Sequence, residues 1–72
     1  MTEETVERLT LEALSETPGK AAAINLIFRR GTVWMILLEE GGEELALQID
    51  ESEIEGEESA KRLLADQIRV LF

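Results

Sequence analysis

The side chains able to do chemistry in this chain are few and scattered. There is no histidine, cysteine or tyrosine among its 72 residues. Nucleophilic catalysis would therefore fall to Ser15, Ser52, Ser59, the threonines, Lys20 or Lys61, each of which needs a base beside it. These residues sit at predicted element ends and in loops, and no pairing among them is compelling. Carboxylate pairs are the other route to acid–base work, but the glutamates lie in solvated turns where nothing raises a pKa. A calcium loop counted from Asp50 puts Glu55 where a glycine is required and Lys61 where a bidentate glutamate belongs, so that motif fails. The glycines fall in hairpins and not between a strand and a helix, which removes the phosphate-cradling loop. The chain reads as a non-enzyme, with no catalytic residue, no metal ligand and no cofactor assigned.

Charge narrows the partners further. Sixteen acids against seven bases give a net charge of -9, and between Glu39 and Ala60 there are ten acids and no Lys or Arg. Such a surface repels phosphate backbones and anionic lipid, so neither nucleic acid nor a membrane is expected as a partner, and no small molecule is indicated. A basic protein is permitted. The 44% hydrophobic content with a single proline supplies enough apolar surface to fold, and the length allows one domain, residues 1–72, with one core. Without cysteine there is no disulfide framework. The longest apolar run, Val33 to Leu38, is too short to span a bilayer, and Met1-Thr2-Glu3-Glu4 is acidic where a signal peptide is basic. The expectation is a soluble domain, monomeric in isolation, with no compartment assigned beyond the cytoplasm if a cell expresses it.

The elements that must position any surface are legible as patterns. Thr2 is placed to cap a helix over about residues 3–16, with Glu3 and Glu4 in its first turn and Val6, Leu9, Thr10, Ala13 and Leu14 on one stripe. Thr17-Pro18-Gly19 stops it. A first hairpin pairs Ala22–Arg29 with Thr32–Glu39 around Arg30-Gly31, setting Ile24, Leu26 and Phe28 against Leu37, Met35 and Val33 on one face. Asn25, Ile27, Arg29, Thr32, Trp34, Ile36 and Leu38 take the other. The second hairpin admits two registers. A three-residue loop ending at Gly42 adds Leu45, Leu47 and Ile49 to the Phe28 face, and a two-residue Gly41-Gly42 turn sends them to the Trp34 face. The first register is preferred, because it makes one face uniformly apolar. Asp50 to Glu58 is an acidic loop with Ser52 and Glu55 at capping-box spacing. A second helix starts near Glu57 or Glu58, with Ala60, Leu63, Leu64, Ile68 and Leu71 as its stripe. The prediction is a two-layer α+β fold, α-β-β-β-α, with a three-stranded antiparallel meander and both helices on the Ile24-Leu26-Phe28 face.

That order is similar to the double-stranded-RNA-binding domain, and Ser59-Ala60-Lys61-Arg62-Leu63-Leu64-Ala65 resembles the second helix of that family. The family presents lysines to phosphates at the start of this helix, where this chain has Glu57 and Glu58, so the resemblance implies the fold without the binding. Glutamate-loaded helix starts, a Gly-Gly turn between glutamates and a Pro-Gly after a helix are also similar to de novo designed mini-proteins.

With both helices on one side, Ile27, Arg29, Trp34, Ile36 and Leu38 would form the outer sheet face. A tryptophan with an arginine at its edge suits an interaction hot spot, for a protein partner or for self-association. The leading expectation is a designed, non-enzymatic acidic domain serving as a fold demonstration or protein-binding scaffold through that face. The alternative is a natural acidic inhibitor, a nucleic-acid mimic that offers Glu43, Glu44, Glu51 and Glu53 to a basic groove.

Overall fold

A computed structural model describes residues 1–17 and 22–71. The order is α1 (Glu3–Ser15), β1 (Ala23–Arg30), β2 (Val33–Glu40), β3 (Glu43–Asp50), a 3-10 turn (Glu51–Glu53) and α2 (Glu57–Leu71). The strands form one antiparallel sheet in the order β1-β2-β3. This is the α+β arrangement that the sequence predicts. The Pro18-Gly19 stop signal lies outside the described residues.

Helix α1 follows its sequence signals closely. The Thr2 hydroxyl accepts from the Thr5 amide at 3.2 Å, and Glu3 and Glu4 occupy the first turn. All five stripe residues, Val6, Leu9, Thr10, Ala13 and Leu14, are buried. Thr10 is tolerated there because its hydroxyl donates to the Val6 carbonyl at 2.7 Å, which leaves no polar group unsatisfied. Helix α2 buries Ala60, Leu64, Ala65 and Ile68. Leu63 and Leu71, expected on that stripe, are each 42% exposed. The buried arc is narrower than the sequence stripe.

The sheet departs from the expected registers in both hairpins. The first turn is Gly31-Thr32, not Arg30-Gly31: Arg30 pairs with Val33, Phe28 with Met35 and Leu26 with Leu37. Gly31 takes φ +62, and among the described residues none other than glycine has a positive φ. A two-residue turn needs that conformation at its first central position, which Arg30 would adopt only at a cost. The resulting slip is by two residues, so each side chain keeps its face although its partner changes. At the start of β1 the register shifts between Ile24 and Leu26, and Ile24 comes to pair with Leu38. That bulge carries Ile24 onto the opposite face from Leu26, where it packs against the core.

The second hairpin turns on Gly41-Gly42, with φ +59 and +84, and pairs Glu40 with Glu43. Two adjacent glycines allow both central residues the left-handed region, and the shorter turn wins over the expected three-residue loop. Its consequence reaches the core. Leu45, Leu47 and Ile49 oppose Leu38, Ile36 and Trp34, and it is this face that the helices cover. Ile36, Leu38 and Leu47 are completely buried, together with Val6, Ala60, Leu64 and Ile68. The expected inner layer of Leu26, Phe28, Val33, Met35 and Leu37 is instead on the far side of the sheet.

Candidate protein-interaction surface

The strip expected to face a partner is therefore core. Ile27, Trp34, Ile36 and Leu38 are all buried, and only Arg29 of that set is exposed. Arg29 lies at the rim, its guanidinium carbon 5.4 Å from the centre of the Trp34 ring. The indole N–H donates to Glu51 at 2.7 Å, and Glu51 also meets the Met1 ammonium at 3.2 Å and Arg29 at 4.0 Å. The Trp34 hydrogen bond, then the ammonium, holds the Glu51 carboxyl below its usual range. This cluster fastens the start of β2 to the end of β3, which is a structural role.

The alternative acidic surface is not one patch. Glu43 and Glu44 begin β3, whereas Glu51 and Glu53 follow its far end, about 20 Å away at the rise of a strand. Glu51 is engaged as described. Neighbouring Asp50 accepts from the Ser52 hydroxyl at 2.7 Å and its amide at 3.0 Å. These bonds, the hydroxyl first, hold its carboxyl below the usual value. Asp50, rather than the expected Ser52, caps the turn. Across the β2–β3 end, Glu39 faces Glu44 and Glu40 faces Glu43, like charges that weaken the pairing there.

The hydroxyls and the amine considered for catalysis serve local structure. Ser15 donates to the Glu12 carbonyl, Ser52 to Asp50, and Ser59 accepts from the Glu55 amide. Lys61 pairs with Glu16 at 3.5 Å and Glu58 at 3.9 Å. Lys20 is outside the described residues. Among the described residues no three acidic, histidine or cysteine groups are arranged to hold a metal ion, and no helix is long and apolar enough to cross a membrane.

What the fold leaves uncovered is the other face of the sheet. It consists of four cross-strand rows: Leu26–Leu37–Ala46, Phe28–Met35–Gln48, Arg30–Val33–Asp50 and Ala23–Glu39–Glu44. Leu26 is 52% exposed, and Phe28, Val33, Met35 and Leu37 are only partly covered. Among the described residues both helices pack on the opposite side. At β3 this face continues into a shallow groove of about 330 Å³ lined by Ala46, Leu63, Asp66, Gln67, Val70 and Leu71, where Val70 is 84% exposed.

The two sheet edges differ. The Gln67 side chain accepts from the Gln48 amide at 3.0 Å and donates to the Gln48 carbonyl at 2.8 Å. A side-chain amide thus takes the place of a neighbouring strand at Gln48. Among the described residues β1 pairs only with β2.

Sequence reasoning assigned the two faces the wrong way round, and the signal that would have corrected it is the Gly41-Gly42 pair. Comparison with protein-family models, with curated proteins and with solved structures finds no match to this chain.

Proposed function

We propose that this chain is a non-enzymatic protein-interaction domain that works through the helix-free face of its sheet, with Leu26, Phe28, Met35 and Leu37 as the contacting side chains. One observation carries this reading: the sheet is apolar on both faces, and the helices cover only one. A sheet with a single buried face normally shows polar residues on the other, so a second face that is apolar along β1 and β2 and only partly covered calls for a partner. The scattered acids support the same reading, since they keep a domain with a bare apolar face in solution.

Nile red, an uncharged apolar dye, tests whether the face is available. The wild-type chain should enhance and blue-shift its emission, and Leu26→Glu with Met35→Glu should abolish that effect while leaving the melting temperature within a few degrees. Dye binding that survives the double substitution, or no dye binding at all, would overturn the proposal.

A further inference from the structure

We infer that the occupant of the helix-free face is a second copy of this chain, stacked sheet on sheet about a two-fold axis that runs along β2; this rests on the reading of that face as a contact surface. The argument comes from how side-chain size and charge are distributed across the four rows. A two-fold axis along β2 sets each β1 residue over the β3 residue of the same row in the other copy, and each β2 residue over itself.

The first row then places Leu26 over Ala46 and Leu37 over Leu37. The second places Phe28 over Gln48 and Met35 over Met35. In both rows a large side chain on β1 meets a smaller or slimmer one on β3, so the two flanks of the stack are matched in size. The third row carries Arg30 on β1 and Asp50 on β3, flanking Val33. The same rotation brings each Arg30 to the Asp50 of the other copy, giving two ion pairs at one end of the stack, and at the other end it sets Glu44 over Ala23 and Glu39 over Glu39, like charges that oppose it.

Two features set the strength. Three strands about 4.8 Å apart and eight residues long make a small footprint, at the low end of specific interfaces. Two chains of charge -9 also repel. The dimer should accordingly form at roughly 10–100 μM and tighten with salt, the reverse of an acidic surface meeting a basic protein.

Sedimentation of the full chain from about 5 μM to 1 mM, at low and at high salt, is the test. The expected result is a monomer–dimer equilibrium favoured by salt. Leu26→Ala and Ala46→Leu should each weaken it roughly tenfold, and the two together should restore it, because the swap exchanges the large and small members of one row. Circular dichroism checks that each variant folds. A strict monomer at 1 mM would overturn the dimer and leave the Nile red result standing for a different partner. Dimerisation that is insensitive to either substitution would point to pairing along the β1 edge and would overturn the stacked arrangement.

Discussion

The two faces of β2 carry similar side chains and have opposite fates. Trp34, Ile36 and Leu38 are sealed beneath both helices, whereas Val33, Met35 and Leu37 lie on the face that no helix covers. Hydrophobicity alone does not decide which face becomes core. The decision is made by the elements beside β2: the Gly-Gly turn sends Leu45, Leu47 and Ile49 to the Trp34 side, and the bulge near Asn25 adds Ile24. The side with more apolar neighbours is the one the helices bury.

The comparison is most sharply broken by truncating each face in turn. Ile36→Ala should cost about 2–5 kcal/mol, comparable to the whole stability of a domain this small. Leu37→Ala, its neighbour on the open face, should cost less than about 1 kcal/mol. Denaturant unfolding of the two variants checks this, and equal losses would mean that both faces are packed.

Next in size is the turn that sets the faces. Gly42→Val places a β-branched side chain at φ +84 and should lose roughly 1–2 kcal/mol, a fall in melting temperature of about 4–16 °C for a domain of this size. Retained stability would show that the hairpin tolerates the longer loop.

A smaller change, with the opposite sign, is expected at the same end of the sheet. Glu44→Lys replaces a Glu39–Glu44 repulsion with an attraction and should raise stability by about 0.5 kcal/mol, the gain shrinking with salt.

The gentlest probe is acid. Asp50 and Glu51 titrate below their usual values in the folded chain, so the unfolded chain takes up protons first as pH falls. Their stabilising contribution is complete above the unfolded carboxylate range near pH 4 and is lost as pH drops through the folded values. Glu51→Gln should flatten that acid limb in a thermal melt series. An unchanged limb would remove Glu51 from the account.

Much of the fold was legible in the sequence, and the surface was not. Helical periodicity identifies both the element and its buried side, and the five α1 stripe residues are all buried. Strand periodicity only sorts residues into two sets and is silent on which set faces inward. Asn25, Arg29 and Thr32 made the Trp34 set look like the wet one. The structure removes all three from the centre of that face: Asn25 falls where the register shifts, Thr32 is in the turn and Arg29 is at the rim. The polar residues that seemed to mark an outer face were marking its borders. The fold class survived this inversion because it depends on element order, and the candidate surface did not because it depends on parity.

The Gln67 clip on β3 has a consequence for growth. With the Gln48 position of β3 held by a glutamine amide and the β1 edge unpaired among the described residues, lateral addition of strands starts more readily from β1. For a single copy, association through β1 ends as a pair joined edge to edge, whereas the stacked dimer carries its two β1 edges on opposite flanks, so growth beyond a pair would need both contacts at once.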